Sequence, residues 1–484
     1  MTESRTTGLL LSVVAAQFLV MLDSSILNVA LPSLTSDLGL DSVGAAWVLN
    51  SYFLTFGGLL LVAGRAADVF GRRRMFMIGA AALLAGSLLG VVAGAEGVLL
   101  AARLIQGAGA ALLSPAAMAI ILARFDGRAR AGAMSAWGAA STAGGAVGVT
   151  AGGLVTGALG WQSVFVLTAG VAALVTFAAW KTLPPDEDRA RRSFDVMGAL
   201  ALTGAAIGVV FAVLSVPRYG WVSVQTLGGS VAAGVCFAVF VTAERRAADP
   251  VLPLTLLRDA RVAGGIAANA FGGAARIGCF VLVAMVLQQV MRLEPESAGL
   301  AMLPTSIAGF AVSALVLPRL LAAFGPERVT IAGLASVCVA HIMLSNVSPE
   351  TPYWQHVLPA LLLAAFGVAA SFTPTTLVIA QGIAARNAGV GSGLASSSAQ
   401  VGGAVGLAVF GAIDTSARAA ALEAGESALT ASQAGLSAAH LAAAIAAALA
   451  VLVALGTFPG LRRNGSPRRT FAAPADRPLR QLVR

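Results

Sequence analysis

Charge is scarce in this sequence. Only 11% of its 484 residues are charged, 58% are hydrophobic, and the mean hydropathy is +0.86. A chain so poor in charge is not a water-soluble protein, and apolar stretches of spanning length recur along all of it. Cysteine is limited to Cys236, Cys279 and Cys338, all within apolar runs, so neither a disulfide framework nor a metal site is implied. Histidine is limited to His341, His356 and His440. They are scattered, no nucleophile motif accompanies them, and an intramembrane enzyme is the remote alternative. There is no Walker-type loop, so ATP is not expected to drive the protein and no cofactor is implied. A cleavable leader is also not expected, since the first apolar run continues past any small-residue cleavage site and reads as a first span.

What is there is a set of long apolar runs with arginines between them. The hydropathy predicts fourteen helices, over 8–30, 45–64, 75–94, 97–121, 132–156, 162–180, 196–216, 221–243, 262–290, 297–318, 328–346, 355–378, 388–412 and 437–457. Each is near the ~20 residues that a bilayer core requires. With both termini inside, the inner segments hold 26 of the 31 Lys and Arg, and the outer ones only Arg218, Arg292 and Arg418. Moving one helix in or out of the count destroys that asymmetry, so a cell-membrane protein with both termini cytoplasmic is expected. The net charge of +9 therefore reads as topology, not as a nucleic-acid surface.

One segment concentrates the charge. Residues 64–74 read GRAADVFGRRR, with Gly64, Asp68, Gly71, Arg72, Arg73 and Arg74 between two spans. Gly64 and Gly71 permit close backbone approach or a positive φ at the ends of a tight turn. A weaker echo, PRLLAAFGPERV, follows helix 10 at 318–329, and GGAVG occurs at both 144–148 and 402–406. Helices 1–6 and 9–14 thus read as two related halves, a design suited to alternating access around a midplane site. The expected domains are a six-helix bundle over 1–180, inserted helices 7 and 8 with their linkers over 181–261, a second six-helix bundle over 262–457, and a disordered basic cytoplasmic tail over 458–484.

GRAADVFGRRR resembles the signature loop between helices 2 and 3 of the major facilitator superfamily. LDSSILNVALP (22–32), RLIQGAGAALLSP (103–115), LQQVMRLEPESAGLAMLP (287–304) and GVGSGLASSSAQVGGAVG (389–406) are similar to motifs of its fourteen-helix drug:proton antiporter branch. The resemblance implies an all-α integral membrane fold, with two pseudo-symmetric six-helix bundles plus two inserted central helices. It implies export of a small lipophilic substrate in exchange for protons, by a monomer in the lipid bilayer. It also implies that Gly64, Asp68, Gly71, Arg72 and Arg73 form a cytoplasmic gate. Helix 5 departs from the branch: GVTAGG (148–153) has Val149 where proline is expected. Gly144, Gly148, Gly152 and Gly153 still allow close helix packing. The change leaves a proton-coupled importer or uniporter as the alternative.

Two buried charges carry the chemistry. Asp23 is the only carboxylate deep within a predicted span, and Arg103 falls at the same depth, roughly 10 Å below the outer boundary at ~1.5 Å per residue. Burial favours the neutral acid and a neighbouring arginine the carboxylate, so a rearrangement that swaps these surroundings moves a proton. In the resembled family the corresponding pair is implicated in proton coupling; a static ion pair is the other reading. Arg276 lies near the midplane of helix 9. It reaches across to Asp23, or faces the cavity and favours neutral or anionic substrates, or binds carbonyls at a helix break near Gly272, Gly273 and Gly278. Gln17, Asn28, Asn50, Tyr52, Gln106, Asn269 and Phe372 complete the expected cavity, with Ser114, Thr373 and Gln400 as further candidates.

Overall fold

The structure is a computed structural model that describes residues 3–40, 42–186, 195–247, 254–293, 295–384 and 387–458. Part of the 181–195 linker and the tail beyond 458 lie outside the described residues. Among those described there is no β-strand. The helices are α1 (Glu3–Leu38), α2 (Ser42–Phe70), α3 (Arg72–Val91), α4 (Glu96–Arg124), α5 (Gly127–Leu159), α6 (Gln162–Thr182) and α7 (Val196–Tyr219). They continue with α8 (Val224–Glu244), α9 (Ala260–Met285), α10 (Pro295–Ala311), α11 (Leu317–Leu344), α12 (Leu358–Gln381), α13 (Ala388–Glu423) and α14 (Ala428–Thr457).

Thirteen described stretches are long and apolar enough to cross a membrane, and the longest, Ser297–Leu344, has 48 residues. That is far beyond one crossing, since ~20 residues suffice. It divides at Gly325, where φ is 76° and the helical path breaks, so the fourteen expected spans are present. Large apolar side chains such as Leu174, Ile445 and Leu452 stand exposed on the outside, as hydrocarbon contact requires.

The stretch 64–74 is not a loop. Its first seven residues continue α2, and a single glycine, Gly71 with φ 107°, joins α2 to α3. The polar turn stays helical because it packs against other helices, which hydropathy does not register. Gly325, inside α11 as bounded here, repeats this turn between the two crossings of the 297–344 stretch.

The helices pack in two groups, α1 to α6 and α9 to α14, with the α7–α8 pair resting on α2 and α13. Small residues make the contacts within each group. A Cβ on Gly144 would fall on the Phe18 carbonyl, and one on Gly402 on the Ala270 carbonyl. Gly148 meets Leu22 on α1 as Gly406 meets Ala274 on α9. In the same way Gly79 of α3 packs on Gly109 and Leu113 of α4, while Gly333 of α11 packs on Ala370 and Ser371 of α12. The two halves therefore share a packing register, in which Asp23 matches Ala275 and Ser87 matches His341.

Contacts between the two groups gather toward the end that carries Gly71. Gly64 lies against Gly389, Gly393 against Leu60 and Leu61, and Gly138 against Thr373. Ser392 Oγ donates to the Pro115 carbonyl at 3.0 Å.

Candidate functional site

The N-terminal bundle encloses a polar cluster. Asp23 on α1 and Arg103 on α4 meet with Oδ2 and Nη1 3.5 Å apart, each about 1% exposed. Gln106, one turn along α4, links them: its Nε2 donates to Asp23 Oδ1 at 2.9 Å, and its Oε1 accepts from Arg103 Nη1 at 2.9 Å. The same Nε2 donates to Ser87 Oγ on α3 at 2.9 Å. Arg103 also donates from Nε to the Val48 carbonyl and lies 4.4 Å from the Tyr52 ring centroid. Among the described residues nothing donates a hydrogen bond to Asp23 Oδ2. The carboxylate is thus held through one oxygen and left free at the other, with its counter-ion slightly beyond hydrogen-bond distance. Gln106 and Tyr52, expected in the cavity, are instead fully buried in this cluster. Depth along a helix is legible from a count of residues, whereas the direction a side chain faces is set by packing.

The C-terminal bundle buries a cation, Arg276, that has no acid partner among the described residues. Arg276 donates from Nη2 to Asn269 Oδ1 at 2.8 Å and from Nη1 to Ser371 Oγ at 3.3 Å. Its guanidinium carbon lies 5.6 Å from the Phe372 ring, which stacks at 5.8 Å on Trp137 of α5. Arg276 therefore does not reach Asp23. Nor does it sit at a helix break, because α9 is continuous from Ala260 to Met285. Its partners are neutral oxygens and an aromatic face, and Phe372 connects it to the other half. Asn269 in turn donates to the Ala395 carbonyl at 2.6 Å and to Ser398 Oγ at 3.0 Å. Gln17, at the matching position of α1, bonds Ser141 and Ser114 at 3.2 and 3.0 Å. Both amides are buried, so they brace their own bundles; Asn28 is exposed and Asn50 half-buried.

A third constellation joins the halves. Asp68 Oδ2 accepts from the backbone N–H of Val390 at 3.0 Å, at the start of α13. Its Oδ1 accepts from Arg72 Nη2 at 3.3 Å. A carboxylate at a helix N-terminus gains from unsatisfied N–H groups and from the helix dipole. Gly64 serves this contact because a Cβ there would strike Gly389. Arg73 turns the other way. It donates from Nη2 to the Trp180 carbonyl on α6 at 3.1 Å, and its backbone N–H and that of Arg74 are taken by the Asp186 carboxylate at 3.0 Å each. Asp186 thus caps α3 from the linker, a role for which the sequence carries no signal.

Gly144, Gly148 and Gly152 line one face of α5 against α1, while Gly153 makes only ordinary contact with Val29. Helix α5 runs unbroken past residue 149.

A polytopic helical membrane protein with two like-built six-helix groups, buried opposite charges in one and a carboxylate bonded across them has the build of a secondary transporter. Residues 13–407 match the Major Facilitator Superfamily, and the chain belongs to that family. Its relatives include the puromycin resistance protein pur8 of Streptomyces alboniger, 35% identical over 85% of this chain and 82% of that one. The cephamycin export protein CmcT of Amycolatopsis lactamdurans is 34% identical over 84% and 85%, respectively. The human organic anion transporter MFSD10 superposes with a TM-score of 0.67 at 17% identity, covering 94% of this chain and all of that one, a likeness of fold. The protein is accordingly a multi-pass membrane transporter with relatives in antibiotic resistance and export.

Proposed function

We propose that this protein exports lipophilic, antibiotic-like small molecules in exchange for protons by alternating access. Both termini are cytoplasmic in this reading, since that orientation places the arginine-rich segments inside. The Gly71 end is then the cytoplasmic end, and contact between the halves there marks an outward-facing state. Asp68, with Arg72, latches that state through the start of α13. Relatives named for puromycin resistance and cephamycin export support an amphiphilic natural product as substrate. That no carboxylate lies beside Arg276 among the described residues supports neutral or anionic substrates over dications.

The carrying observation is the Asp23 cluster. A buried carboxylate with one unbonded oxygen beside an arginine can take a proton if a rearrangement withdraws the arginine and lose it when the arginine returns. Outward opening exposes the site to the acidic side of the membrane, and inward opening to the other side. Purified protein in liposomes containing a pH-sensitive dye tests this under an imposed proton gradient. Compound-triggered proton flux through wild type and not through Asp23→Asn is expected. Equal flux through both reduces the pair to a structural bond.

An importer or uniporter is the second reading, favoured by Val149 in place of the antiporter proline. Opposite transport directions in inverted and right-side-out vesicles separate the two.

A further inference from the structure

The histidines that are scattered in sequence are not scattered in space. His341 of α11 and His440 of α14 face each other with their Nδ1 atoms 2.9 Å apart, and both rings are fully buried. His341 Nε2 lies 3.0 Å from the Ala275 carbonyl oxygen on α9. A carbonyl only accepts, so the hydrogen of a neutral His341 is on Nε2 and its Nδ1 is the acceptor. His440 must then donate from Nδ1, which leaves its Nε2 with a lone pair. That nitrogen is buried and has no partner among the described residues. The bond chain ends at Ala275, one residue before Arg276.

The place of this pair in the fold is the second observation. In the packing register of the two halves, Ala275 matches Asp23. His341, eight residues beyond Gly333, matches Ser87, eight beyond Gly79. Ser87 is the residue that shares the Gln106 amide with Asp23. One bundle therefore puts a carboxylate network at this site, and the other an imidazole pair.

We propose that the His341–His440 pair is a second proton-binding site, set in the C-terminal bundle where the Asp23 cluster stands in the N-terminal one. The proton adds to the lone pair of His440 Nε2 and breaks no bond of the chain to Ala275. On release it passes to water or to a carboxylate. The ionisable groups on the surrounding helices are few. On α9 they are Arg276, Cys279 and, at the far end, Arg261, which is paired with Glu327 of α11. Helix α11 adds Cys338, Arg319 and Arg328, and α13 adds Asp414, Arg418 and Glu423; apart from His440, α12 and α14 contribute none. His356, before α12, bonds the Met343 carbonyl at 3.0 Å instead.

Asp414 is the acid nearest along the path outward. It lies against Gly435, five residues and so about 7.5 Å along α14 from His440. Its Oδ1 has no hydrogen-bond partner among the described residues and is 4.0 Å from Arg418. A proton entering past Asp414 adds a cation to the core of a bundle that already buries Arg276 on neutral oxygens and an aromatic face. Protonation thus loosens the seat of Arg276 and couples the pair to whatever Arg276 binds. That role rests on the antiport reading; the site itself does not.

The test uses full-length protein in lipid nanodiscs with nitrogen-15 histidine, and the variant His356→Gln to leave only the pair. Across about pH 5–8, the range in which histidine changes charge, one imidazole should gain a proton while the signals of its partner shift with it. Two rings that stay neutral throughout overturn the proposal. In proteoliposomes, His440→Asn keeps a donor near the Nδ1 position but cannot take up the proton. It should move about one proton fewer per substrate, with His356→Gln matching wild type. An unchanged proton count in His440→Asn makes the pair a structural bond and defeats the coupling role. If that variant does not insert, the titration decides alone. Because the titration needs no transport, loss of the Asp23 result and loss of this one are separate outcomes.

Discussion

The backbone N–H of Val390 meets Asp68 Oδ2 at 3.0 Å, and this bond ties the last turn of α2 to the first of α13. It crosses between bundles, so it must break whenever that end opens. A hydrogen bond to a charged group contributes about 1.5–3 kcal/mol. Asp68→Asn keeps an acceptor but loses the charge, so it should shift the equilibrium away from the closed end by about tenfold. Turnover should fall by that order while substrate affinity changes less than about twofold. Parallel transport and equilibrium binding on the purified variant measure both. Normal transport at normal expression removes Asp68 from the gate.

The Gly64–Gly389 contact gives a steric version of the same experiment. A Cβ on Gly64 strikes the Gly389 carbonyl, and one on Gly389 strikes Gly64. Overpacking of a tight contact costs about 1–3 kcal/mol, and here only the closed state bears it. Gly64→Ala should therefore favour opening at this end. A cysteine placed at buried Ser392, in protein stripped of Cys236, Cys279 and Cys338, reports it. Its labelling should speed up by about tenfold in Gly64→Ala; an unchanged rate places the strain elsewhere.

Much of this fold is legible in the sequence because a membrane span is defined by hydropathy and length alone. The level of Asp23 and Arg103 was legible too, since the rise per residue is fixed, and the two meet at 3.5 Å. Azimuth was not. Gln106 and Tyr52 are on the predicted helices but turn into the Asp23 cluster, and Arg73 turns to α6 while its neighbour Arg72 turns to Asp68. Helix α2 outlasts its apolar run because Asp68 and Arg65 are buried by neighbouring helices. His341 and His440 are 99 positions apart and carry no motif, so only the packing of α11 on α14 could bring them together.

Arg276 predicts a selectivity. Its charge is met by Asn269, Ser371 and the Phe372 ring, none of them anionic. Lipophilic dications should therefore be poor substrates, and Arg276→Gln should admit them while weakening transport of anions by about tenfold or more. Competition of a dye dication against a neutral substrate in vesicles measures this. A wild type that carries dications as readily as neutral compounds refutes it.

The small-residue face of α5 predicts a stability effect with a position dependence. Gly148 packs under Ser25 and Leu22, and Gly152 under Ile26, whereas Gly145 has open space above it. Gly148→Leu should force α5 from α1 and lower the melting temperature in detergent. Gly145→Leu, three residues away on the same helix, should meet no packing cost and gain slightly from helix propensity, which favours leucine. The cost of Gly148→Leu should exceed that of a single overpacked methyl, about 1–3 kcal/mol, because the added atoms meet backbone that cannot yield. Equal melting of the two variants would mean that α5 is held by its length in the bilayer and not by this face.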